Sequence, residues 1–103
     1  MKILLFVSSR CPHCPSAESI VKKLAPEYYE HGLRFEKIRV KTGEGKRLAA
    51  SFGVMSMPAI LILDDDGNEI HRIVGVPSES GLKNKIESGL GLKKSFLDRV
   101  FGR

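Results

Sequence analysis

The chain has 103 residues, 42% hydrophobic and 28% charged, a composition that fits one ordinary soluble globular domain (1–103). Roughly 60–70% of the unfolded chain's surface can be buried at this length, so no metal or disulfide staple is needed and both cysteines are free for chemistry. A formal charge of +5 suits acidic partners without identifying one, and no basic stretch interleaved with stacking aromatics supports nucleic-acid binding.

No internal repeat or linker divides the sequence. The apolar run over 2–8 is rich in β-formers and bounded by Ser8-Ser9, which predicts a strand buried on both faces. It is far shorter than the roughly 20 residues a membrane helix needs, and no signal-type cleavage pattern follows it. A cytoplasmic location without membrane association is therefore expected. From Cys11 onward Ala17, Ile20, Val21, Leu24 and Tyr28 recur at helical spacing, Gly32 supplies a stop, and Pro26 predicts a kink or restart near 22–26. A second strand is expected over 33–40, where the inward parity shifts between Phe35 and Ile38 and suggests a bulge or an edge position. A short helix over 44–52 and a central strand over 59–63 come next. The turn at Asp64-Asp65-Asp66-Gly67-Asn68 then leads by hairpin to a strand over 69–74. Helical spacing continues over 78–90 and, after the Gly89/Gly91 interruption, over 92–101. The order βαβαββα plus a final helix is α/β. It predicts a mixed four-stranded sheet of three parallel-type core strands and an antiparallel edge, with 91–103 as a helical extension.

Chemistry concentrates at Cys11-Pro12-His13-Cys14, where the first strand meets the first helix. Two cysteines three apart on a first helical turn can bring their Cα atoms to roughly 5–6 Å, the separation a disulfide requires. With Cys11 near the N-cap and Pro12 near N1, unpaired backbone N–H groups and the helix dipole favour a Cys11 thiolate as nucleophile. Cys14, one turn deeper, is then the resolving thiol, and His13 is placed to lower the Cys11 pKa. A zinc site is the main rival for a CxxC pair, but zinc takes four ligands and His31 and His71 sit on distant elements, so only a symmetric dimer could complete one. Both histidines are expected to be ordinary surface residues. Met57-Pro58 is the second point of interest, because a proline directly before a buried strand is tolerated only at its first position.

Three separated features give the chain a resemblance to the thioredoxin superfamily over nearly all of residues 1–90: strand-Cys11-Pro12-His13-Cys14-helix, the run Phe52-Gly53-Val54-Met55-Ser56-Met57-Pro58 entering a strand, and Val74-Gly75 followed by Leu82 and Ile86. The resemblance implies a thioredoxin-like fold and a protein disulfide oxidoreductase with no cofactor. It also implies that Pro58 is cis and faces the cysteine pair, with Met57 offering backbone groups to an extended substrate. The implied partners are disulfide-containing proteins and, as electron donor, a thioredoxin-reductase-like flavoprotein; a monomer is expected. The chain starts directly on its catalytic strand, as glutaredoxins do, yet Ser56-Met57-Pro58 and Gly75-Val76-Pro77-Ser78 replace the glutathione-holding patterns of that group. Arg10 stands where thioredoxins place a tryptophan, and Leu5 where they bury an acid. The alternatives are a glutathione-dependent glutaredoxin-type reductase and a metal or iron–sulfur module using CxxC across a dimer. Finally, Leu92, Phe96, Leu97, Val100 and Phe101 form a broad apolar arc rimmed by basic residues. The ordinary expectation is that it packs on the sheet; partial exposure would let it dock an acidic partner or a second copy.

Overall fold

Five consecutive buried residues, Ile3, Leu4, Leu5, Phe6 and Val7, put strand β1 (Lys2–Val7) at the centre of the molecule. The computed structural model describes residues 1–91. The helix expected over 92–101 and its docking role lie outside them. After β1 come α1 (Cys14–Leu24), a 3-10 helix (Ala25–His31), β2 (Arg34–Arg39), α2 (Gly43–Phe52), β3 (Ala59–Leu63), β4 (Glu69–Val74) and α3 (Glu79–Leu90). The strands form one sheet in the order β2-β1-β3-β4.

The alternation of β1 divides its side chains between two cores. Ile3, Leu5 and Val7 pack with Ala17 and Val21 of α1 and Leu82 and Ile86 of α3, whereas Leu4 and Phe6 pack with Ala49 of α2 and Leu61 of β3. Each fully buried side chain of this size contributes about 1.5–3 kcal/mol. β2 is an edge strand in unbroken register with β1, and four of its six residues are exposed. Its parity shift reflects single contacts with each core, Phe35 turning to one and Ile38 to the other. The register irregularity falls instead between Ile62 and Leu63, where β3 meets β4.

The α/β class and the mixed four-stranded sheet match expectation. The strand directions within the sheet require a correction. Only β1 and β2 are parallel; β3 is antiparallel to β1, and β4 to β3, so the sheet does not contain three parallel core strands. The reason is where α2 returns the chain. β2 ends with Arg39 opposite Val7 and β3 begins with Ala59 opposite Phe6, both at one end of β1, so the segment after α2 brings the backbone back to the end it left.

Local chemistry sets the boundaries. α1 gives way to the 3-10 helix at Ala25, where Pro26 lacks the N–H that would continue the α-helical ladder, and Gly32 closes it with a left-handed φ of 89°. Thr42 caps α2 and Ser78 caps α3, each accepting a hydrogen bond from the backbone N–H three residues on. Gly45 is required by close approach, since a Cβ there would overlap the Arg39 carbonyl and hold α2 away from the end of β2.

Candidate active site

Beyond Val7 the chain leaves the sheet through Ser8-Ser9-Arg10 and folds back at Cys11, whose N–H donates to the Ser8 carbonyl at 3.4 Å. Cys11 to Cys14 form a turn closed by the Cys14 N–H donating to the Cys11 carbonyl, also at 3.4 Å. Pro12 stands second, where its fixed φ suits a type I turn, and His13 third, with φ −96° and ψ −8° matching that turn's third position. The N-cap of α1 is therefore His13 and not Cys11 as expected; its side chain makes no capping bond. Pro15 accounts for the shift. A helix beginning at Cys11 would need a Pro15 N–H to reach the Cys11 carbonyl, and the ring both lacks that donor and crowds that oxygen.

The turn brings the Cys11 and Cys14 Cα atoms to 5.4 Å and the two sulfurs into a disulfide. Their environments differ. Cys14 is 4% exposed within the core between the sheet and α1, while Cys11 is only partly buried at its margin. Pro12 and His13 are exposed. The peptide bond Met57–Pro58 is cis. Pro58 is buried at the start of β3, at the end of the sheet where β1 delivers the cysteines, and its carbonyl accepts the Gly75 N–H at 2.8 Å. Met57 is half-buried and touches both cores. Around this loop Met55, Val74 and Val76 expose apolar side chains.

On the other flank of the cysteines a groove of about 540 Å³ runs between the start of α1 and the end of β2, with Cys11, Glu18, Lys37, Arg39 and Lys41 in its walls. Met57 and Pro58 do not line it. Glu18, four residues after Cys14 on the same helix face, accepts from Lys37 at 3.1 Å and pairs with Lys22 at 2.9 Å. Hydrogen bonds from Lys22 and then Lys37 hold its carboxyl below the usual carboxylate range. Leu5, fully buried, lies opposite Lys37 in the sheet register, so no acid from β1 reaches this position. Nothing in composition or periodicity marks these charged residues as a group. The i,i+4 spacing from Cys14 to Glu18 was the available signal, whereas the approach of β2 is a long-range fact.

Among the described residues no group of three His, Cys, Asp or Glu is arranged to hold a metal ion. His31 follows Glu30 at 3.9 Å on the 3-10 helix and His71 lies on the edge strand β4, both away from the cysteines.

The thioredoxin family model matches residues 1–88. Over 82 residues the chain is 39% identical to a probable thioredoxin of Archaeoglobus fulgidus, covering 80% of this chain and 81% of that one. It is 33% identical over 90 residues to a thioredoxin of Methanocaldococcus jannaschii, covering 87% and 96% respectively. Among solved structures, a mutant thioredoxin from Halobacterium salinarum superposes with a TM-score of 0.74 at 29% identity, over 86% of this chain and 74% of that one.

Proposed function

The chain belongs to the thioredoxin family and is a thiol–disulfide oxidoreductase acting on protein disulfides, and we propose that Cys11 is its attacking thiolate and Cys14 its resolving thiol. The Cys11 thiolate attacks one sulfur of a substrate disulfide, forming a mixed disulfide and expelling the other substrate sulfur as a thiolate, which takes up a proton. Cys14 then loses its proton and attacks the Cys11 sulfur. The second substrate thiol leaves, the Cys11–Cys14 disulfide remains, and two electrons have passed to the substrate. The difference in burial between the two cysteines carries this assignment. An intermolecular encounter needs the accessible sulfur, and a sheltered second sulfur attacks only after the first has been captured.

Pro12 holds the turn that aligns the pair, and His13 adds a donor or a positive charge beside the Cys11 sulfur. Met57 presents backbone groups to the substrate chain as it extends past the sulfurs, and Pro58 faces the cysteine pair beside it. Regeneration requires a two-electron donor for which a thioredoxin-reductase-like flavoprotein is the proposed partner, and a reducing compartment, the cytoplasm, is the setting in which such a cycle turns over. No helix among the described residues is long and apolar enough to cross a membrane.

The test is trapping. Cys14→Ser is expected to accumulate a stable mixed disulfide with a substrate protein, visible on a non-reducing gel, and Cys11→Ser to be inert in both trapping and turnover. Trapping by the Cys11→Ser protein would reverse the two roles.

A further inference from the structure

The groove beside Cys11 holds an excess of cationic side chains that the redox chemistry does not consume. Alternation along β2 turns Lys37 and Arg39 toward α1, opposite to Ile38, and the chain beyond β2 adds Lys41 to the same wall. Lys37 is engaged by Glu18 at 3.1 Å. Among the described residues neither Arg39 nor Lys41 has a carboxylate within ion-pair reach. Ser8 and Ser9 place two further hydroxyls on the groove, whose volume of about 540 Å³ lies in the range of ligand-binding clefts.

We propose that this groove recognises acidic polypeptide: the disulfides this protein reduces are flanked by Asp or Glu, whose carboxylates sit against Arg39 and Lys41 while the cysteine meets Cys11. The proposal rests on Cys11 being the nucleophile and names the substrate class for it. The two flanks of the cysteine pair differ in a way that orients the substrate. On the Pro58 side Met55, 90% exposed, and Val74, 61% exposed, offer apolar contact, and on the β2 side the contact is cationic. A guanidinium and an ammonium in a concave wall attract carboxylates before contact and align them on arrival. A basic segment meets repulsion in the same place.

Three disulfide-linked peptide pairs of equal length, differing only in Glu, Gln or Lys beside each cysteine, test this when their reduction by the dithiol form is timed at low salt and at about 1 M salt. The expected order is Glu, then Gln, then Lys, with Glu ahead of Lys by about tenfold at low salt. That gap should close at high salt, where the screening length falls from about 10 Å at 0.1 M to about 3 Å. The double variant Arg39→Glu with Lys41→Glu is expected to reverse the order. Equal rates for the three peptides in the unmodified protein overturn the acidic-substrate proposal and leave the nucleophile assignment standing. Failure to reduce any of them, with thiols confirmed reduced, removes the assignment of Cys11 and the groove proposal with it.

Discussion

At the residue scale, the cysteine turn shows how two prolines divide four positions into distinct roles. Pro12 suits the turn and Pro15 prevents the helix from reaching back, so Cys11 stays outside the helical ladder while Cys14 enters its first turn. His13 is left as the N-cap without a side-chain capping bond and is exposed, and the proposed mechanism gives it the tuning of the Cys11 sulfur. His13→Ala is expected to move the midpoint of Cys11 thiolate formation up and to make the disulfide couple more reducing. Thiolate absorbance against pH measures the first effect and equilibration with a dithiol buffer the second; an unchanged midpoint removes His13 from the mechanism. The cysteine turn and the place of Pro58 at a strand entry were legible in the sequence because each is set locally, by a turn or a strand boundary, whereas the cis bond before Pro58 was implied only by the resemblance to thioredoxins. The shift of the N-cap from Cys11 to His13 was also written locally, in Pro15. Glu18, Lys37, Arg39 and Lys41 were not legible as a group, since only the pairing of β1 with β2 brings them to one groove.

At the element scale, hydrophobic periodicity located the four strands and three α-helices of the described residues, and a continuous apolar run correctly marked β1 and β3 as buried on both faces. It could not orient β3. A run buried on both faces reads the same in a parallel or an antiparallel setting, and the direction was decided by how far α2 and the segment after it carry the chain. Periodicity also counted Tyr28 simply as an apolar residue. In the structure its ring is buried, and its hydroxyl donates to a Glu87 carboxylate oxygen at 2.6 Å, tying the 3-10 helix to α3 across 59 residues of sequence. Burial and the carboxylate together push the phenol well above its ordinary range, so Tyr28 remains a donor at every physiological pH. Tyr28→Phe keeps the ring and removes this bond. Glu87 is half-buried and regains water, so the expected loss is about 1 kcal/mol, or some 4–8 °C in the thermal midpoint of a domain this size. Calorimetry checks it, and an unchanged midpoint would mean that the contact contributes nothing to stability.

At the scale of the whole molecule, the excess of positive charge makes the carboxylates that remain ionised important to the fold, and Glu18 stands out because it pairs with both Lys22 and Lys37 at the edge of the groove beside the cysteines. Its side chain is 20% exposed, so screening reduces the interaction without abolishing it. A carboxyl whose folded-state pKa lies below its unfolded value stabilises the fold fully above that unfolded value, about 4.3 for Glu, and loses the contribution as pH falls through the folded one. Glu18→Gln is accordingly expected to lower stability by roughly 0.5–1 kcal/mol at pH 7 and by much less at pH 3, where the parent protein has also lost the pairing. Urea denaturation midpoints of both proteins at the two pH values give the comparison, and an equal deficit at pH 7 and pH 3 would assign the effect to packing instead of charge. The same substitution releases Lys37 from its carboxylate beside Cys11. If acidic segments bind there, Glu18→Gln should reduce the Glu-flanked peptide disulfide faster than the parent protein does at low salt while being the less stable of the two at pH 7.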